Sequence, residues 1–180
     1  MSADKQAQAS PLAGAVQQIR AHLGSLPEGK TTVTFRTATR LIEGLTTTAK
    51  IRSFDLAIDE PAELGGGNTG PTPVEVVLAA FGTCQEIVYA VYAAALGIRL
   101  DGVEVDVEGD LDPRGFFGVA PVSPGLSGVR FKVRVNSPDS PARIAELVRS
   151  VNEHCPVLDI LRQPVTVAGA VELNGKSLDA

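Results

Sequence analysis

Two thiols, Cys84 and Cys155, are the chain's only cysteines among 180 residues. A thiolate is the reactive form of cysteine, and a second thiol within reach allows a cycle through sulfenic acid and disulfide. Cys84 sits in the longest apolar run, GPTPVEVVLAAFGTCQEIVYAVYAAALG at 70–97, and Cys155 in His154-Cys155-Pro156. The N-terminus carries no apolar signal-type core, which places the expected compartment in the cytosol. There, a cysteine pair is more often catalytic, sensing or simply buried than a structural disulfide. Burial as a small hydrophobe is the competing reading, and spacing alone leaves both open. A metal site would have to draw Cys84, Cys155, His154 and His22 from three separate segments with no CxxC spacing, so no metal and no cofactor are expected. In a helical approach to Cys155 the His154 ring points away from its neighbour, which argues against a cysteine–histidine hydrolase pair.

Helical position bears on which thiol attacks. Cys84 lies about three turns inside its helix, beyond the reach of the N-terminal dipole, so a reactive thiolate there needs a positive side chain, for which arginine is suited. Cys155 falls at a helix end, where partial negative charge opposes ionisation, although it could also cap a short helical turn after Pro156. The balance favours Cys84 as the attacking thiol and Cys155 as the resolving one.

The elements that must hold these residues follow from pattern. Thr72-Pro73-Val74-Glu75 reads as a capping box with proline at the first helical position. It predicts a helix to about Leu96, stopped by Gly97. Glu75 is thereby accounted for as a capping residue. The helix is apolar nearly all round and rich in alanine, which makes it central and open to close approach by a partner. Ser140 opens a second helix with Ile144, Leu147, Val148 and Val151 on one face, broken by Pro156 just past Cys155, and a short helical turn is expected at 157–161. Leu12, Val16, Ile19 and Leu23 mark a short amphipathic helix at 11–23.

Strands are expected at 31–39 and 48–59, joined by a hairpin connection at 40–44. Alternating valines predict two more at 103–107 and 129–135, and a last one at 164–173, with Gly169 as a bulge or close approach. Glycine-rich 60–70 lacks the features of a phosphate loop and reads as a flexible connection past which backbone runs closely. The stretch 113–128 reads as a long loop whose Phe116 and Phe117 fold inward or line a pocket. The order is α+β: a mostly antiparallel sheet packed on two helices.

A net charge of −5 without a basic block argues against nucleic acid or an anionic membrane as partner. Aromatics at 4% leave no stacking platform for bases. The run from Val74 to Ile98 is long enough to span a bilayer, but Glu75, Gln85 and Glu86 interrupt it and its flanks are not basic.

Two motifs carry a family resemblance. LGGGNTGPTPVEVVLAAFGTC at 64–84 and HCPV at 154–157 resemble the OsmC/Ohr superfamily, and DLDPRGFFG at 110–118 resembles its uncharacterised OsmC-like branch. The resemblance covers roughly residues 31–173, so 31–180 is expected to be an OsmC-like domain and 1–30 a tail with a short helix. It implies an intertwined homodimer with two central helices per subunit and active sites at the subunit interface. It also implies reduction of organic hydroperoxides, with Cys84 peroxidatic and Cys155 resolving, and a dithiol reductant, lipoyl-linked in that family. The family's peroxidases pair an arginine with a glutamate ten residues before the first cysteine. Here that position is Val74, and Glu75 is displaced by about 100° of helical rotation. The arginine comes from the N-terminal hairpin, where Arg40 falls nearest, with Arg36 and Arg52 as competitors. The alternative to a peroxidase is a dimer that binds a small apolar or thiol-containing ligand at the same interface.

Overall fold

The computed structural model describes residues 11–178. The polar stretch 1–10, expected to be disordered, and the last two residues lie outside the described residues.

Helix α2, Pro73–Leu96, is the expected one, and its ends form as the residue types dictate. Thr72 accepts the Glu75 N–H, while the Glu75 carboxylate accepts the Thr72 N–H at 2.7 Å. At the other end Gly97 takes a left-handed conformation that ends the helix. Phe81, Val88, Tyr89 and Ala93 are buried along α2, and Phe81 meets Phe131 edge-on at 5.0 Å. Although α2 is long and apolar enough to cross a membrane, this buried stripe makes it a core helix.

Helix α4, Pro141–His154, lies against α2, with Leu147 and Val151 fully buried between them. Strands β4, Gly102–Leu111, and β5, Leu126–Asn136, form an antiparallel ribbon that covers α2. Gly82 is the point of close approach: a Cβ there would stand 3.3 Å from the Val107 side chain. The outer face of the ribbon carries Arg130 paired with Glu108 and Asp110, and Arg134 paired with Glu104 and Asp106. Helix α5, Pro156–Arg162, follows α4 directly. The N-terminal helix α1, Pro11–Ser25, packs on α2 through buried Val16.

The N-terminal strands differ from expectation. The first, β1, spans Ala38–Glu43 rather than 31–39, because pairing with β2, Thr46–Ile51, begins only at Ala38↔Lys50. The threonine-rich stretch before it has no strand partner, and Phe35 is 92% exposed. Arg40 therefore lies within β1, and the reversal is made by Gly44 at a φ of 56°. The segment expected as one strand at 48–59 is two, because Arg52 takes a φ of 57° and turns the chain into β3, Phe54–Ile58. Near the C-terminus Asn174 and Gly175 form a tight turn between β6, Val171–Leu173, and β7, Lys176–Leu178, where a single strand at 164–173 was expected. Among the described residues of one chain the strands thus form three separate antiparallel sheets.

Phe116 and Phe117 do not fold inward. Asp112 caps a single helical turn, α3, Pro113–Phe116, and the two rings meet edge-on while 69% and 56% exposed.

The glycine-rich connection is knit rather than flexible. Asp59 is 1% exposed and accepts from the Thr69 hydroxyl at 2.8 Å, the Glu60 N–H at 2.8 Å, the Gly67 and Thr69 N–H groups at 3.1 Å, and the Thr46 hydroxyl at 3.2 Å. Close backbone passage is real: a Cβ on Gly66 would collide with the Glu60 carbonyl, and one on Gly70 with that of Ala57. The Thr69 hydroxyl is the largest influence holding the Asp59 carboxyl down to about 2, against the opposing effect of burial. A depressed carboxyl stabilises the fold above its unfolded-state value and stops doing so as pH falls through the folded one. Stability contributed by Asp59 should therefore be lost between about pH 4 and pH 2. Thermal melts of Asp59→Asn should show a lower Tm at neutral pH and a shallower acid decline than wild type; parallel declines would refute this.

Candidate functional site

Cys84 and Cys155 come together from 71 residues apart in the sequence. Helices α2 and α4 run antiparallel, so the start of α4 meets the end of α2. There the Arg143 guanidinium donates to the Leu96 carbonyl at 2.8 Å and the Gly97 carbonyl at 3.2 Å. Its position is held by Asp139, which also accepts the Arg99 N–H at 2.7 Å. Counting twelve residues back along α2 from Leu96 gives Cys84, and twelve forward from Arg143 gives Cys155. At a shared rise of about 1.5 Å per residue the two thiols arrive level. Their sulfurs stand 3.5 Å apart, both unoxidised, with Cys84 half-buried and Cys155 2% exposed.

Pro156 makes Cys155 the junction between α4 and α5. The Cys155 N–H closes α4 on the Val151 carbonyl, and its carbonyl accepts from Asp159 as α5 begins. Cys155 stands at the N-cap position of α5, as the proline after it suggests, but its thiol accepts no backbone N–H there. Cys84 takes the benefit instead: the Val157 N–H, in the first turn of α5, points to its sulfur. Sequence reasoning missed this contact, although proline directly after Cys155 was the signal that a new helix, with free N–H groups, starts there.

Burial is the dominant influence on Cys84 and pushes its thiol above the ordinary range. The Val157 N–H pulls it down, and Cys155, by its hydrogen bond and its charge, pushes it up again. Within a single chain the Cys84 thiol is thus neutral near pH 7.

The other expected residues fall into place unequally. Arg40 lies on exposed β1 in a shallow recess with Thr39, Ile42, Thr48, Lys50 and Asp55, and makes no hydrogen bond or ion pair among the described residues. The cluster around the thiols contains no residue of β1, β2 or β3. The chain therefore brings the two cysteines together and leaves Arg40 apart. Arg52 is committed to its turn, with its guanidinium 5.2 Å from the centre of the Phe54 ring. His154 points away as expected, bonding the Ser150 carbonyl through Nδ1 at 2.8 Å and stacking on Tyr92 at 4.8 Å. Glu75 serves the capping box. Among the described residues no three His, Cys, Asp or Glu side chains converge as a metal site.

Gln85 was passed over as a mere interruption of the apolar run. It is fully buried next to Cys84, and neither amide atom has a partner among the described residues. Each such orphaned group costs about 1–3 kcal/mol. A recess of about 560 Å³ with mixed polar and apolar walls is lined by Phe81, Phe131, Leu126, Ser127, Leu158 and Arg162, and neither cysteine lines it.

The family described as OsmC-like protein matches residues 65–168, more than half of the chain and narrower than the 31–173 expected from resemblance. No curated protein matches. Several solved structures share the fold. An OsmC-like protein from Mycoplasma pneumoniae is 21% identical at a TM-score of 0.64, covering 74% of this chain and 91% of its own. An organic hydroperoxide resistance protein OsmC from Legionella pneumophila is 20% identical at 0.57, covering 73% and 92%. An organic hydroperoxide resistance protein from Elizabethkingia anophelis is 16% identical at 0.55, covering 75% and 92%. At these identities the likeness concerns the fold, which agrees with the α+β class expected.

The register clamp and the thiol coupling each have a measurable consequence. Arg143→Ala should lower stability by about 1–3 kcal/mol, in line with the loss of hydrogen bonds to a charged group, and should slow Cys84–Cys155 disulfide formation under a mild oxidant. Unchanged oxidation kinetics would mean the clamp does not set the sulfur–sulfur approach. Removing Cys155 takes away an upward influence on Cys84, so the pH midpoint for alkylation of Cys84 by iodoacetamide should fall in Cys155→Ala relative to wild type. A rise would contradict the coupling.

Proposed function

The chain belongs to the OsmC-like protein family, and on that premise we propose that it reduces organic hydroperoxides with its two thiols. The observation that carries this reading is the 3.5 Å separation of Cys84 and Cys155 in a water-poor seat. In the proposed cycle the Cys84 thiolate attacks the outer peroxide oxygen. The O–O bond breaks, the released alkoxide takes a proton to leave as an alcohol, and Cys84 becomes a sulfenic acid. The Cys155 sulfur then attacks the Cys84 sulfur, an S–S bond forms, and the sulfenic oxygen leaves as water with the Cys155 proton. The sulfurs must close to about 2.05 Å, a movement that pivoting at the α4–α5 junction could supply. A dithiol, lipoyl-linked by family likeness, would restore both thiols.

A neutral Cys84 is the obstacle to this chemistry, and an arginine is the remedy in kind. We infer that a second copy of the chain completes the site, its β1–β3 sheet carrying Arg40 over Cys84. Exposed Phe35, Leu41, Ile42 and Phe54 on that sheet and the approach to it support such an assembly. The expected compartment is the cytosol. A second reading, a dimer that binds a small apolar or thiol-containing ligand without turnover, rests on the same raised Cys84 and the lack of a cationic influence on it among the described residues.

Peroxide consumption separates the two readings. Cumene hydroperoxide with a dithiol reductant should turn over with the wild type, and Cys84→Ser should lose at least 10³-fold. Cys155→Ser should accumulate a sulfenic acid trappable by dimedone. Arg40→Ala should slow the first step by about 10²-fold, a typical effect of removing one stabilising group, and raise the alkylation midpoint of Cys84. Both thiols surviving one equivalent of peroxide would sink the peroxidase reading and leave the binding one.

A further inference from the structure

We propose that the reduced Cys84–Cys155 pair is also a chelating site for monosubstituted trivalent arsenicals, R–As(OH)2. The proposal rests on the geometry of the two thiols and not on peroxide turnover. Two sulfurs 3.5 Å apart are near van der Waals separation. A disulfide requires them to close to about 2.05 Å, whereas a pyramidal trivalent arsenic bridges two sulfurs at roughly the distance already present. Soft sulfur ligands favour such a soft centre.

Ligand count narrows the class. The chain has two cysteines in all, and no third His, Cys, Asp or Glu joins them among the described residues. That is too few for a tetrahedral metal held by protein ligands. It is one short of the three sulfurs that inorganic arsenite can take. A monosubstituted arsenical has two exchangeable positions, and its third bond is to carbon. The immediate surroundings suit that carbon substituent: Phe81 and Leu158, each three residues from one of the cysteines, are buried in the cluster that Cys84 and Cys155 join.

The step balances without an oxidant or reductant. Each S–H exchanges with one As–OH: an S–As bond forms, an As–O bond breaks, and the thiol proton leaves on the hydroxide as water. Arsenic stays trivalent, and two waters are released for each arsenical bound. No thiolate needs to survive in the product, so a seat that keeps Cys84 protonated, which hinders attack on a peroxide, is compatible with this exchange. Closing the second bond is intramolecular, so the pair should hold the ligand about 10²–10⁴-fold more tightly than either thiol alone.

Phenylarsine oxide is the probe, added to the reduced full-length protein without oxygen, with intact mass and free-thiol titration as readouts. The expected result is one phenylarsenic per chain and loss of both titratable thiols. The adduct should resist excess glutathione and be reversed by dimercaptopropanol. Cys84→Ser and Cys155→Ser should each lose this resistance; circular dichroism confirms folding, and the half-buried Cys84 variant carries the comparison if the buried Cys155 variant does not fold. Two arsenicals per chain, no adduct, or an adduct that glutathione removes from wild type as readily as from the variants would overturn the proposal. No peroxide is present, so its failure leaves the peroxidase reading standing, and loss of turnover with intact arsenical binding does the reverse.

Discussion

The register of α4 on α2 is the constraint from which the rest of the site descends. Two antiparallel helices with apolar seams can slide by a turn with little change in buried area, because Leu, Val and Ile interchange along such a seam. A charged group bonded to the end of a helix does not slide. Arg143 reaches the terminal carbonyls of α2, which otherwise lack partners and carry the negative end of the helix dipole. Asp139 fixes Arg143 and ties it to Arg99 just past the helix. With one end pinned, equal lengths of helix carry Cys84 and Cys155 to the same level. Leu147 and Val151, buried between pin and thiols, hold the helices together over that distance.

The same burial that brings the sulfurs together works against their ionisation. Desolvation disfavours the charged form, and a thiol 3.5 Å away disfavours it further once either sulfur is charged. One backbone N–H from α5 is the compensation within the chain. The result is a pair that is well placed for bond formation between the sulfurs and poorly charged for attack on anything else. A cation delivered from outside the core would change the second property without disturbing the first. That separation of tasks makes sense of a chain whose thiols and whose Arg40 sit on different parts of the fold.

What could be read from the sequence was local or periodic. The capping box, the stop at Gly97, the seam of α4 and the break at Pro156 depend on residues within a few positions of one another, and each formed. The existence of β4 and β5 followed from alternating valines, and their pairing with each other is seen only in the fold. The errors lie in where the chain turns and in what then faces solvent. Arg52 and Gly44 take positive φ values that move the turns and so move Arg40 from a connection into a strand. Phe116 and Phe117 were expected to fold inward or line a pocket, and the single turn capped by Asp112 leaves both rings exposed. The Val157 contact and the stranded amide of Gln85 are tertiary facts, invisible until α5 and α4 are laid on α2.

The glycine-rich segment bears on the role proposed for Arg40 at a second subunit. A flexible tether would leave the β1–β3 sheet free to wander, and an arginine on it would meet Cys84 only by chance. The segment is instead bound around one buried carboxylate. Asp59, at the end of β3, gathers donors from β2 through Thr46 and from the approach to α2 through Gly67 and Thr69. The Asp59 N–H in turn donates to the Pro71 carbonyl, just before the cap of α2. Gly66 and Gly70 permit this because a side chain at either place would strike backbone. Sheet and helix are therefore joined by a rigid elbow whose angle is set before any second subunit arrives. An assembly of two such chains would meet with its arginines already oriented, so the ordering entropy is spent in folding each chain rather than in forming the site.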